Sequence, residues 1–333
     1  MRVVSLTCSN TEIVCALGAS DLLVGVDDHS DFPEDVVARL ARVGPDLTVD
    51  AKAVAALRPD LVLASLTVPG HERVLEALLA EGLPVEVFEP KSVADVYADT
   101  LRIGALLGRT PQAEAQVAEM RTVLDARPEP AFRPRVLVEW WPRPVIVPGA
   151  RSWVTQQLLA AGGINPMGER PVESSPITDE EARELAPDAV VISWCGVQLD
   201  KYRPDVVYQR EAWQDFPALR DRQVHCITEA FLGRPGPRMV DGVKALARVV
   251  ESVHEARAQG AGARSTRPER VDRRRQSRRR RDAPSLIATT AAPPGAARVF
   301  GGPRVTSRGR QRRPQALGCA RLHPRRLPWP RFA

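Results

Sequence analysis

Over the first 90 residues, short apolar runs alternate with segments of helical period. Val3–Leu6 has the length of a strand, and Leu22–Val26 is a second such run. Between them, Ser9-Asn10-Thr11-Glu12 opens a helical pattern. Ser9 or Asn10 is placed to cap it, Ile13 and Leu17 face the core, and Gly18 ends it. Val54–Leu57 closes a short helical pattern ahead of Arg58-Pro59-Asp60 and the apolar run Leu61–Ala64, which reads as a buried strand. Glu72–Glu81 carries Val74, Leu75, Leu78 and Leu79 at helical spacing, Gly82 stops it, and Val85–Phe88 follows as a strand. This βαβα order predicts a largely parallel sheet.

Residues 92–127 break that rhythm. Ser92 caps a predicted helix through Leu107, Gly108 interrupts it, Thr110-Pro111 restarts it, and Ala113–Ala126 continues as a second long helix. A helix of that length with no strand before its successor suits a rigid spacer. Strands then resume at Arg135–Trp140 and Pro144–Val147. A helix over Val154–Ala161 ends at Gly162-Gly163, and Thr178-Asp179-Glu180-Glu181 starts another. Ala189–Ser193 and Val224–Ile227 read as strands, and Met239–Ala258 as a long closing helix. Leu57-Arg58-Pro59-Asp60-Leu61-Val62-Leu63-Ala64 recurs as Leu185-Ala186-Pro187-Asp188-Ala189-Val190-Val191-Ile192. That repeat of one helix–turn–strand unit points to two similar lobes.

Charge divides the chain further. Residues 1–260 hold 27 basic and 38 acidic residues, whereas 261–333 hold 20 arginines, no lysine and three acidic residues. The acidic body gives no sign of nucleic-acid binding. Beyond residue 260 the periodicity stops, and Arg273–Arg281 is an arginine run broken only by Gln276 and Ser277. Such a segment cannot bury enough surface to offset the entropy of ordering it, so 261–333 reads as a disordered, basic, proline-rich tail. It is either an arm for anions, nucleic acid or membranes, or a non-functional extension translated out of frame. The five cysteines show no CxxC or Cys/His spacing, which argues against a zinc site or a disulfide framework. No apolar run reaches membrane-spanning length. Val3–Leu6 begins too soon after Met1-Arg2 to leave room for a secretory signal, so the expectation is either a cytoplasmic protein or a true start further upstream.

In an open α/β lobe, ligands sit at the carboxyl ends of the strands. That rule selects the loops Cys8–Asn10, Asp27–Ser30, Ser65–Pro69, Trp140–Pro142, Trp194–Gly196 and Glu229–Arg234. Enzyme motifs are missing: the chain has no GxSxG, P-loop, GxGxxG or HExxH. The expectation is a binding protein with no catalytic residues and no catalytic cofactor.

Four stretches together resemble a known family. They are Ser5–Glu12; Gly25-Val26-Asp27-Asp28-His29-Ser30-Asp31-Phe32-Pro33; Leu57–Ala64 with His71-Glu72-Arg73; and Ser175–Glu181 leading to Pro187-Asp188. The chain is similar, over about residues 2–257, to the helical-backbone metal receptors of the class III periplasmic-binding-protein family. Within them it is most similar to the cobalamin-binding branch. The resemblance implies an α/β protein of two Rossmann-like lobes with mainly parallel sheets, joined by one long spacer helix. The divisions are 1–91 for the N-terminal lobe, 92–130 for the inter-lobe helical segment, 131–260 for the C-terminal lobe and 261–333 for the tail. It further implies a monomeric, extracytoplasmic protein that hands a metal chelate to ABC importer membrane subunits.

A corrin is a flat, partly apolar disc with amide arms, so aromatic faces and a few polar groups should hold it. The candidates are Ser9, Asn10, Asp28, His29, Leu66, Trp140, Trp141, Trp194, Glu229, Phe231 and Arg234. Adjacent residues on a strand face opposite sides, so one of Trp140 and Trp141 binds while the other packs in the core. His29 is a candidate metal ligand, or it simply lines the cleft. Arg234 either meets the ligand or forms a surface ion pair. By the resemblance, Glu72 and Glu180 are the acids, one per lobe, that dock on importer arginines; both also suit the first turn of a helix. The ligand expected is cobalamin or another corrinoid, with haem or a ferric siderophore as the alternative. A cytoplasmic corrinoid sensor or buffer without a transporter, and a nucleic-acid protein acting through the tail, remain rival readings.

Overall fold

A computed structural model gives the structure of the protein and describes residues 1–265, with side chains described through residue 259. Five strands, β1 (Val3–Ser5), β2 (Leu23–Val26), β3 (Ala41–Arg42), β4 (Leu61–Ser65) and β5 (Val85–Phe88), form a parallel sheet ordered β3–β2–β1–β4–β5. The crossovers carry α1 (Cys8–Ala16), α2 (Glu34–Val37), α3 (Ala51–Ala56) and α4 (His71–Ala80). Successive strand residues feed opposite faces of the sheet. Val3, Leu61 and Leu63 pack with Ile13 of α1 and its C-cap Leu17, while Val4, Val62 and Ala64 pack with Val54 of α3 and Val74 and Leu78 of α4. Burial on both faces is why these strands read as unbroken apolar runs.

α1 starts earlier than its sequence predicts. Thr7 is the last extended residue, with φ −148° and ψ 149°, and its side chain accepts from the Asn10 N–H at 3.5 Å. Ser9 and Asn10 therefore lie inside the helix and are not its caps. Asn10 is buried and donates through Nδ2 to the Ala64 carbonyl at 3.3 Å, tying α1 to β4.

α5 (Val93–Leu106) and α6 (Thr110–Leu124) then form a helical hairpin. Ser92 and Asp95 close a capping box at the start of α5. A Cβ at Gly104 would overlap the Ala113 side chain, so glycine here lets the two helices touch. Ile103 and Ala113 belong to the core of the five-stranded sheet, whereas Val96, Val117, Met120 and Leu124 belong to the core of the C-terminal half. α6, about 22 Å long at 1.5 Å per residue, thus runs from one core to the other, with α5 beside it.

The C-terminal half contains β6 (Val136–Glu139), β7 (Trp141–Pro142), β8 (Val145–Pro148), β9 (Ser174–Ile177), β10 (Ala189–Ile192) and β11 (Val224–Cys226). Its helices are α7 (Trp153–Ala160), α8 (Asp179–Leu185), α9 (Asp205–Tyr208), α10 (Pro217–Arg220), α11 (Glu229–Leu232) and α12 (Met239–Ser265). β11–β10–β6 is parallel, and β7–β8–β9 is a separate antiparallel sheet. The antiparallel sheet was not legible in the sequence, because β9 is the polar Ser-Ser-Pro-Ile. It is an edge strand, where proline is tolerated.

The sequence repeat is structural in detail. Arg58 and Ala186, each just before the Pro-Asp pair, both adopt left-handed φ, at 48° and 40°. Asp60 accepts from the Arg2 N–H at 2.6 Å, and Asp188 from the Arg135 N–H at 2.8 Å. The guanidiniums of the same two arginines donate to Leu57 and Leu185 carbonyls. One turn design therefore anchors β4 to β1 and β10 to β6.

α12 continues to Ser265, past the Ala258 expected from its amphipathic pattern. The expectation of disorder for the remaining tail, residues 266–333, lies outside the described residues. Among the described residues, no helix is long and apolar enough to cross a membrane.

Candidate functional site

The carboxyl-end loops of the five-stranded sheet meet the segment Glu229–Arg238 of the C-terminal half in a cluster of ion pairs. Arg234 is its centre. Its Nη1 donates to Glu12 Oε1 at 3.2 Å and to Asp31 Oδ1 at 2.5 Å, and its Nη2 donates to Asp31 Oδ2 at 3.1 Å. Its Nε lies 3.4 Å from Glu229 Oε2, an ion-pair distance without hydrogen-bond alignment. Arg238 Nη1 reaches the same Glu12 oxygen at 3.3 Å. The Arg238 guanidinium also lies over the rings of Phe32, at 4.2 Å, and Phe231, at 5.0 Å.

Local structure explains these positions. Glu12 sits on α1 and is directed inward by the helix, with only 2% of its side chain exposed. The loop at Gly236 lies on α1, within van der Waals reach of the Ser9 carbonyl and Ile13. Glu229 opens α11 behind the Thr228 cap. Asp31 and Phe32 sit on the loop after β2. Arg42 pins that loop by donating to the Asp27 and Ser30 carbonyls at 2.8 and 2.7 Å.

The electrostatics are self-balancing. Burial pushes Glu12 up to about 7, against the pull of Arg234 and Arg238. Burial raises Glu229 too, again opposed by Arg234. For Asp31, burial is outweighed by donation from Arg234, which holds it below the usual carboxylate range. Burial raises the Cys8 thiol well above its ordinary range, so Cys8 stays protonated. A cavity of about 470 Å³ opens beside the cluster, walled by Asp31, Phe32 and Arg42 on one side and Gln198, Thr228 and Arg238 on the other.

The structure brings Ser9, Glu229, Phe231 and Arg234 together at this junction. Asp28 and His29 are exposed on the loop leading to Asp31, and Leu66 is half-buried after β4. His29 Nε2 lies 3.5 Å from Asp46, which lies equally far from the buried His71. Among the described residues, no group of three or more His, Cys, Asp or Glu is placed to hold a metal ion. The tryptophans lie deeper than expected. Trp140 is buried, its ring 6.3 Å from that of Trp153. Trp194 is buried, packs on Tyr202 at 5.6 Å and donates Nε1 to Glu139 at 2.9 Å. Neither indole offers an open face, and the half-exposed Trp141 is the one nearer solvent. Glu72 and Glu180 are exposed in the first turns of α4 and α8.

Sequence reasoning missed Glu12, Asp31, Phe32 and Arg238. Two signals were present. Asp31-Phe32 lies in a stretch already singled out, and Arg234 and Arg238 flank a rigid Pro-Gly-Pro that places both beside one carboxylate.

The profile of the family described as "Periplasmic binding protein" matches residues 3–230. The ABC transporter substrate-binding lipoprotein YvrC of Bacillus subtilis (strain 168) is 29% identical over 258 residues, 75% of this chain and 79% of the relative. The Vitamin B12-binding protein of Yersinia pestis (strain Pestoides F) is 26% identical over 205 residues, 60% of this chain and 71% of the relative. The crystal structure of a periplasmic heme-binding protein from Pseudomonas aeruginosa superposes with a TM-score of 0.63 at 28% identity, covering 75% of this chain and 92% of its own.

Proposed function

The chain belongs to the periplasmic binding protein family, and on that premise we propose that it captures cobalamin or another corrinoid between two lobes, residues 1–91 and 131–260, and delivers it to the membrane subunits of an ABC importer. The protein acts outside the cytoplasm, as a monomer, without catalysis. The YvrC and Vitamin B12-binding relatives support this role.

The observation that carries the ligand class is the charge balance at the junction. Two guanidiniums, Arg234 and Arg238, face three carboxyl groups, Glu12, Asp31 and Glu229. Arg42 and Glu34 on the cavity wall add one charge of each sign. Such a site has no surplus positive charge with which to attract a polyanionic chelate. It does present donors and acceptors side by side, between Phe32 and Phe231, which suits a flat ligand fringed with neutral amides. Ser9, His29, Glu229, Phe231 and Arg234, with Asp31, Phe32 and Arg238, form the ligand surface. Asp28, Leu66 and Trp141 form its rim, and Trp140, Trp194 and Asn10 support it from behind. His29 lines the cleft. Glu72 and Glu180 dock on the importer.

Haem is the second reading, for one reason: Arg234 and Arg238 would hold carboxylate side arms if Glu12 and Asp31 withdrew. Titration of the full chain with cyanocobalamin, haem and a ferric siderophore, followed by quenching of tryptophan fluorescence, ranks the three. Saturable cobalamin binding tighter than haem supports the first reading, and the opposite order replaces it with the second.

A further inference from the structure

A chain of polar and aromatic contacts runs through the C-terminal half from the ion-pair cluster to the helix bearing Glu180. The Glu229 N–H donates to the Tyr202 hydroxyl at 3.2 Å, and that hydroxyl donates to the Trp194 carbonyl at 3.1 Å. Trp194 Nε1 donates to Glu139 Oε1 at 2.9 Å. Arg210 grips Glu139 with a two-pronged fork, Nη1 to Oε2 at 2.6 Å and Nη2 to Oε1 at 3.0 Å. The same guanidinium stacks over Trp213 at 4.3 Å. Trp213 Nε1 donates to Asp179 Oδ1 at 2.7 Å, and Asp179 is the first residue of α8, directly before Glu180. Arg183 adds a second tie from α8 to the Ala212 carbonyl at 3.0 Å.

This chain is stiff. Glu139 and Trp213 are fully buried, and Tyr202 and Trp194 nearly so. A buried carboxylate tolerates little displacement from its fork, and the fork cannot slide without unstacking from Trp213. Both ends of the chain lie in regular elements, the Glu229 N–H at the start of α11 and the Asp179 carboxylate at the start of α8, so movement at one end is felt at the other as displacement of a rigid body.

We propose that Arg210 is a positioning residue, bracing α8 against the wall of the ligand cleft so that the setting of Glu180 follows events at Trp194 and Glu229. The inference rests on the docking role given to Glu180 above.

Hydrogen–deuterium exchange of the full-length protein, read at residues 179–185, tests it. Trp194→Phe removes the donor at the cleft end, and Trp213→Phe removes the donor to Asp179. Each single variant is expected to speed exchange in α8 severalfold while α1 and α4 keep their wild-type rates. In the double variant, Trp194→Phe is expected to have no added effect, because the path is already cut. Additive effects, or no response of α8 to Trp194→Phe, would overturn the proposal. If Trp194→Phe does not fold, Arg210→Lys, which keeps the charge and loses the fork, takes its place in the same cycle. Cyanocobalamin is then expected to change α8 exchange in the wild type and not in Trp213→Phe. Failure of cyanocobalamin to bind counts against the ligand reading alone, and the ligand-free cycle still decides the role of the brace.

Discussion

Arg234 reaches across the junction to Asp31, 203 positions earlier in the chain, and donates to both of its carboxylate oxygens at 2.5 and 3.1 Å. The two partners are unequal. Arg234 is 11% exposed and Asp31 53%. An exposed partner is screened by water and contributes little, whereas removing a buried charge strands those that face it. Arg234 also faces Glu12, which is almost fully buried.

Asp31→Asn is therefore expected to lower stability by less than about 1 kcal/mol. Arg234→Met, which strands Glu229 and leaves Glu12 with Arg238 alone, should cost about 3 kcal/mol. Urea denaturation of the two variants checks the contrast. Equal losses would mean that the pair is held by Asp31 and not by the buried acids.

Glu12 makes stability depend on pH with a defined sign. Burial raises it from 4.5 to about 7 in the folded protein. The folded state then binds a proton that the unfolded state has released, so this contribution is present in full below pH 4.5 and is lost as pH rises through 7. The loss has an upper bound of about 3 kcal/mol. Melting temperatures from pH 5 to 8 should fall more steeply for the wild type than for Glu12→Gln. Parallel curves would show that Glu12 ionises at an ordinary pKa.

Arg210 holds a fully buried acid, so Arg210→Met is expected to cost about 3–5 kcal/mol. Trp194→Phe leaves Glu139 its two arginine donors and should cost about 1–3 kcal/mol. Thermal unfolding followed by circular dichroism gives both values. A Trp194→Phe loss equal to that of Arg210→Met would relocate the weight of this network to the indole.

The repeated turn offers a symmetric test. Arg58 and Ala186 hold left-handed φ without being glycine, a conformation that costs on the order of 1 kcal/mol. Arg58→Gly and Ala186→Gly are each expected to be neutral or stabilising by up to about 1 kcal/mol, although glycine destabilises most sites. A clear loss in either would show that the side chain contributes more than its backbone strain.

Much of the fold was legible because its core strands are covered on both faces. Val3, Val4, Val62, Leu63 and Val190 to Ile192 form unbroken apolar runs, and such runs announce themselves. The Pro-Asp repeat was visible because the turn needs an acid to receive one neighbouring N–H and a residue that tolerates left-handed φ. The antiparallel β9 was hidden, since an edge strand of Ser-Ser-Pro-Ile has neither alternation nor β-branched density. The site was half legible. Strand-end loops located Arg234, Glu229 and Phe231, which share one short segment. Their partners Glu12 and Asp31 were not identified, because pairing across more than 200 positions leaves no local trace. Trp194 stands two residues after β10, where the strand-end rule places it, yet its indole turns inward and joins the two Arg210 donors on Glu139, a contact 55 positions away that leaves no local trace.

Isothermal calorimetry of the full-length protein with cyanocobalamin and with haem, at one pH and salt concentration, tests the central claim most directly. The account predicts one-to-one cobalamin binding, tighter than haem and weakened by Phe231→Ala and Arg238→Ala. Haem binding that is tighter than cobalamin binding, or cobalamin binding indifferent to both substitutions, would contradict it.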